Sequence, residues 1–331
     1  MKPIAFFLLA FFMLHAASAQ NQTYAEKLGY PAGKKVIIMH VDDAGMSYDS
    51  NEGALKAIRD GVANSVSVMM PCGWVPGFVH SLKKYPDIDA GLHLTLTSEW
   101  KEYRWGPLAG KPTVKGLVDA EGAMWPSVAD VVKHATADEV ETEIRAQLER
   151  ARTMGFEPTH LDSHMGTLFA TPAFIERYIR VGMQEKIPVM FPGGHNTAVR
   201  VDERMNDAMF AMTQTIGKQL WQAGLPVLDD LHNVSYGWKL PEGTPETKEN
   251  LQSFKTQKYI EGLQSLKPGL TMVIMHCTDP TEVFPIISGS TQTREGDLLA
   301  MIDPKLKAYI EQEGIILTTW REAMQRRGKV K

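Results

Sequence analysis

The sequence predicts a single α/β domain folded as a distorted (β/α) TIM-like barrel, and three observations lead there. Short apolar, β-branched runs alternate with amphipathic helical patterns about eight times. The chain has 331 residues, enough for a barrel of roughly 250 residues with some long connections. The three longest connections all follow strand patterns, which in a barrel puts them on the face where active sites sit. A doubly wound open sheet is the alternative, but the chain has no G-x-G-x-x-G to support a dinucleotide site. Nor is there an internal repeat, a low-complexity segment or a linker.

Taken in order, the first 19 residues stand apart. Lys2 precedes an apolar run over residues 4–14, and Ala17-Ser18-Ala19 makes a small-residue cleavage site. This is the pattern of a secretory signal peptide, so residues 20–331 form the mature domain, exported to the periplasm or beyond. No later stretch is long and apolar enough to span a membrane. Strands are expected over residues 35–41, 65–70, 89–94, 159–162, 188–191, 226–228, 271–275 and 315–318. Helices are expected over residues 49–60, 75–84, 137–154, 172–184, 202–223, 247–266 and 304–313. The clearest is 137–154, where Val140, Ile144, Leu148 and Ala151 share one face. The long connections are 97–126, 229–246 and 277–297. The first holds Trp100, Tyr103, Trp105 and Trp125, and the second His232, Tyr236 and Trp238.

Composition is that of an ordinary globular domain, 44% hydrophobic and 22% charged, with a formal charge of −4. That mild acidity, without a Lys/Arg cluster, leaves no electrostatic footprint for nucleic acid. Cys72 and Cys277 are the only cysteines. Export permits a disulfide between them, and each also fits a buried strand end.

Chemistry collects at the strand ends. The run over residues 36–41 delivers adjacent carboxylates, Asp42 and Asp43, to a turn that Ala44 and Gly45 suit, with Ser47 placed to cap the next helix. Two neighbouring acids disfavour each other's ionisation unless a cation or proton intervenes. His160, Asp162 and His164 in HLDSH have period-two spacing and project to one side of an extended segment. His93 in GLHLTLT and His276 closing VIMH would each be unremarkable alone. The same end of separate strands, however, keeps presenting His or Asp. One carboxylate with two imidazoles suits Zn²⁺ or another divalent cation.

These motifs resemble the YdjC-like carbohydrate deacetylases, which act on N-acetylated sugars such as chitooligosaccharides. The resemblance lies in HVDDAGMS, SVSVMMP, GLHLTLT and PTHLDSH, covering roughly residues 35–165, and resumes at VIMHCTDP. It implies a distorted (β/α) barrel, a saccharide substrate, and one divalent metal, Zn or Mg, held by Asp43, His93 and His164. It further implies Asp42 as general base and His276 as the acid near the leaving group. Asp162 would orient a histidine, and His160 is either ligand or support. Trp100, Trp105, His232, Trp238 and Arg294 are candidates for the substrate pocket, although the aromatics of 97–126 suit a packed lid as well as sugar stacking. The chain departs from the family's usual pattern at Ala44 and over Met165-Gly166-Thr167-Leu168-Phe169, positions that bear on that pocket. Two other readings share these residues: a metal phosphoesterase, for which Arg294 is the one basic candidate, and a non-catalytic metal-containing glycan-binding protein. Asp42 separates the last from an enzyme, since a binding module needs no second acid beside a ligand.

Overall fold

A computed structural model describes residues 22–330; the predicted signal peptide lies outside them. Seven strands are named β1 (Lys35–Ala44), β2 (Ser65–Val68), β3 (Ala90–Leu94), β4 (Leu161–Ser163), β5 (Asp230–His232), β6 (Gly269–Met275) and β7 (Ile316–Leu317). They form one parallel sheet in the order β4-β3-β2-β1-β6-β5. Single parallel bridges, Leu161 to Val189 and Pro192 to Leu228, carry the curl onward from β4 to β5. The result is the expected distorted (β/α) barrel.

The wall through 188–194 and 226–229 is thinner than the sequence suggests. Strands were expected at 188–191 and 226–228, and only bridges form there. Pro188, Pro192 and Pro226 each lack the N–H a ladder needs. At the far end, β7 pairs with β1 at Val36 and Ile37, while β2 pairs with it from His40 onward. Since β6 occupies the whole of one β1 edge, β7 and β2 share the other in succession.

Expected helices are present with small shifts at their ends, and one starts late. The helix expected over 202–223 runs over Asp207–Gln222, capped by Asn206, and a separate short helix, Thr197–Asp202, precedes it with Arg204 at φ 49° between the two. The connection 277–297 holds a helix that its Pro, Ser, Thr and Gly content concealed, Thr291–Met301. Cys72 and Cys277 are both buried and free. Among the described residues no helix is long and apolar enough to cross a membrane.

Strand alternation sorts the core into two sets. Ile37, Met39 and Val41 of β1 join the large cluster shared with the surrounding helices. Val36 and Ile38 join a second cluster with Leu228, Leu231, Leu270, Met272, Ile274 and Trp320, which fills the barrel. That parity decides which polar side chains enter the barrel mouth.

Candidate active site

Counting by twos up each strand leads from the apolar floor to the polar groups. On β1, Val36 and Ile38 are followed by His40 and Asp42. On β6, Leu270, Met272 and Ile274 are followed by His276. On β3 and β4 the residues facing the helices are Leu92, Leu94 and Leu161, which leaves His93, His160, Asp162 and His164 for the interior. His160 lies at the floor, its ring stacked on Trp320 with centroids 5.3 Å apart.

Parity alone would send Asp43 outward, to the helices. Instead the pairing of β1 with β2 shifts register between Val41 and Ala44, and Asp43 takes a left-handed φ of 67°. Asp is one of the few residues with a side chain that tolerates this region. The bulge brings both adjacent carboxylates into one site. Ser47 then caps the helix Tyr48–Arg59 by accepting the Ser50 N–H, as its position in the sequence predicts.

Asp43, His93 and His164 meet as a compact set, with one candidate ligand atom from each lying within 4.8 Å of the others. Asp43 Oδ1 is 3.2 Å from His93 Nε2 and 3.3 Å from His164 Nδ1. Its Oδ2 faces Arg294 at 2.7 Å. Neither oxygen has a well-aligned hydrogen bond although the residue is buried; Arg294 answers Oδ2, which leaves Oδ1, facing only the two imidazoles, as the oxygen open to a further cation. Two imidazoles and a carboxylate are a donor set for a divalent metal, and these residues fit one. Burial alone would raise the Asp43 carboxyl, but Arg294 and both imidazoles hold it well below the usual carboxylate range.

Each imidazole of this set is oriented from behind. His93 Nδ1 donates to Asp162 Oδ1 at 2.6 Å. His164 Nε2 donates to Glu99, 3.0 and 3.1 Å from its two oxygens. Those bonds leave His93 Nε2 and His164 Nδ1 to face Asp43, the arrangement that fixes the tautomer of a ligating histidine. Burial disfavours charge on His164, yet Glu99 and Asp43 raise its pKa to about 9. His93 is likewise raised, against its burial, by Asp42 and Asp162.

Asp42 stands beside this set without belonging to it. Its Oδ1 faces His40 Nε2 at 3.1 Å and accepts from Ser67 Oγ at 3.4 Å. Its Oδ2 is 3.9 Å from His276 Nε2. His276 is held by its backbone N–H, which donates to Asp297 at 3.1 Å. Burial lowers the His276 pKa, Asp43 opposes that, and Arg294 lowers it further.

The other sequence candidates divide. Arg294 reaches the site from the helix Thr291–Met301, its guanidinium 5.8 Å from the Trp100 ring and 5.4 Å from Tyr236. Trp105 is buried and donates its indole N–H to Thr97 O at 2.8 Å. His232 and Trp238 lie elsewhere. Leu231 takes the inward position on β5, so His232 points outward, 3.3 Å from Asp202 and packed on Gly262 of the helix Lys248–Ser265. Glu99 and His40 were not singled out by the sequence. Glu99 begins a loop and follows no pattern, whereas His40 was findable, two residues before Asp42.

A parallel barrel with a His/Asp donor set at its strand ends defines the class. The chain belongs to the YdjC-like protein family, which it matches over residues 36–312. It is 28% identical over 298 residues to a carbohydrate deacetylase of Thermus thermophilus, covering 89% of this chain and 96% of that one. Over 136 residues it is 29% identical to a chitooligosaccharide deacetylase of Yersinia enterocolitica, 40% of this chain and 49% of the relative. An Enterococcus faecalis structure, named as a candidate cellobiose-phosphate cleavage protein, superposes with a TM-score of 0.68 at 17% identity. It covers 87% of this chain and 98% of its own, and at that identity it bears on the fold alone.

Proposed function

We propose that this chain is a metal-dependent carbohydrate deacetylase, removing the acetyl group from an N-acetylated sugar or oligosaccharide. One divalent ion, zinc or magnesium, would be held by Asp43, His93 and His164. The observation that carries the reading is the division between the two acids. Asp43 is committed to the imidazoles and Arg294, while Asp42 has one oxygen anchored by His40 and Ser67 and the other turned toward the mouth. The deacetylases among its relatives support the same substrate class.

When bound, the ion supplies Lewis acidity, polarising the acyl oxygen and acidifying a water molecule. Asp42 Oδ2 takes the proton as the water oxygen bonds to the acyl carbon. The departing amine needs a proton when the C–N bond breaks, and His276 would give it. Burial and Arg294 keep His276 neutral, so it must first gain that proton. Asp42 Oδ2, 3.9 Å away and newly protonated, is the nearest source. Trp100 remains a candidate sugar contact, while Trp105, buried with its N–H satisfied, serves to pack the lid. The N-terminal segment supports export, so the substrate would be a glycan outside the cytoplasm.

The phosphoesterase alternative depended on Arg294 as a phosphate contact, and that cation is already committed to Asp43. Acetate release from a panel of N- and O-acetylated sugars, with and without chelator, tests the proposal. Release from N-acetylated sugars that stops on chelation is expected. A metal-loaded protein that releases nothing would sink it and leave the glycan-binding alternative.

A further inference from the structure

We propose that His40 is a positioning residue: a buried imidazolium that fixes Asp42 and ties it, through Asp162, to His93. The proposal rests on the reading above for the roles of Asp42 as base and His93 as ligand. It goes beyond that reading in assigning a function to a residue deep in the barrel that touches neither substrate nor metal.

The geometry around His40 Nε2 is unusual. Three oxygens surround that single nitrogen: Asp162 Oδ2 at 3.0 Å, Asp42 Oδ1 at 3.1 Å and Ser67 Oγ at 3.0 Å. Two are carboxylate oxygens, which can only accept, so Nε2 must carry a proton. On the other side of the ring, Nδ1 is 3.0 Å from Ser65 Oγ. Both serines come from β2 at the inward-facing positions, since Val66 and Val68 face the helices.

Charge balance then favours a proton on both ring nitrogens. Asp42, Asp43 and Asp162 are all buried, and buried carboxylates need a compensating cation. Arg294 answers Asp43. Among the described residues, the ion-pair partners of Asp42 and Asp162 are histidines alone: His40, His93, His160 and His276. A ligating His93 is neutral, giving Nε2 to the metal and donating Nδ1–H to Asp162. Burial keeps His160 and His276 neutral as well. His40 is left to carry the charge. Burial pushes its pKa down, but the Asp162 and Asp42 carboxylates facing its Nε2–H bring it up to about 9.

One ring therefore sets two functional groups. Holding Asp42 Oδ1 turns Oδ2 toward His276. Pairing with Asp162 Oδ2 at 3.0 Å, an oxygen with no aligned hydrogen bond of its own, steadies the carboxylate whose Oδ1 accepts from His93 Nδ1. Loss of His40 would leave two carboxylates facing each other with no shared donor, and Asp42 free to swing away from its reacting orientation.

The test compares metal-loaded wild type with His40→Leu and His40→Gln in acetate-release kinetics, with metal content measured on each. His40→Leu is expected to lower kcat about 10- to 100-fold while KM stays within about twofold, a loss typical of groups behind metal ligands. Its metal content should stay at the wild-type level, and His40→Gln, which keeps an N–H donor, should recover part of the loss. In ¹⁵N-histidine-labelled wild type, the His40 ring, assigned by its disappearance in His40→Gln, should have both nitrogens protonated at neutral pH. Wild-type kcat in His40→Leu, or an unprotonated ring nitrogen on His40, overturns the proposal. If His40→Leu does not fold, His40→Gln and the ring spectrum decide. If wild type releases no acetate from any sugar, the deacetylase reading falls, and the spectrum still answers for His40.

Discussion

The two adjacent acids make different demands on a substitution. Asp42→Asn keeps the shape and removes the basicity, so turnover should fall about 10²- to 10⁴-fold, the usual range for a lost general base, with metal content unchanged. Asp43→Asn should instead lose the metal. A variant of Asp42 that loses metal would show that the roles had been exchanged. Protonation offers a second measurement. In the metal-free protein His164, with a pKa of about 9, and His93, also raised, hold protons at neutral pH that ligation must displace. Adding a divalent ion at pH 7 should release protons, readable by titration in buffers of different ionisation enthalpy. The same shifts set a sign for stability. A histidine raised from 6.5 to about 9 stabilises the fold fully below 6.5 and loses that contribution as pH climbs through 9. The melting temperature of chelated protein should therefore decline across that window.

At the scale of the strand, much of the site was legible as counting. HLDSH declared itself because three polar residues at period two cannot be core, and His93 and His276 followed from the same strand end recurring. The same count on β1 reaches His40, two residues before Asp42, although the apolar run around it reads as packing. His232 shows the converse failure. It is polar and ends a strand, yet it has the wrong parity, and only the position of Leu231 reveals that. Asp43 escaped counting altogether, because a bulge breaks the period. Arg294 stands out in the sequence as a lone cation but its helix, Thr291–Met301, does not, since a connection rich in Ser, Thr and Gly conceals a short helix. Close packing between strands yields a direct test. A Cβ on Gly91 would lie 2.5 Å from the buried His160 ring. Gly91→Ala should cost roughly 1–3 kcal/mol of stability, as overpacking a tight core does, measured by denaturant titration.

Across the whole molecule, polarity rises through the barrel in layers. Val36, Ile38, Leu270, Met272 and Trp320 make the floor, and His160 lies on it. His40, Asp162 and His93 come next, and Asp42, Asp43, His164, His276 and Arg294 stand at the mouth. The layer beneath holds Asp42 and His93, while residues of the connections that follow the strands hold the rest of the mouth: Glu99 holds His164, Asp297 holds His276 and Arg294 faces Asp43. The wall is not uniform. β1 and β6 share seven register pairs, while the circuit from β4 to β5 depends on single bridges at Val189 and Leu228. Amide hydrogen exchange should find β1 and β6 slowest and the backbone of 188–194 markedly faster, since local opening follows the density of protected backbone bonds. Equal protection around the circuit would contradict the topology.

The bend at Asp43 also limits how this chemistry could be transplanted. Copying Val41-Asp42-Asp43-Ala44 onto an idealised, regularly pleated strand would send one carboxylate to each face, leaving half the machinery outside the barrel. A host scaffold would need the extra backbone step as well as the side chains. At Asp43 it would accept Asn, or Gly, and reject a β-branched replacement, because φ of 67° is closed to such residues. The transferable unit is therefore a kinked strand rather than a short string of letters.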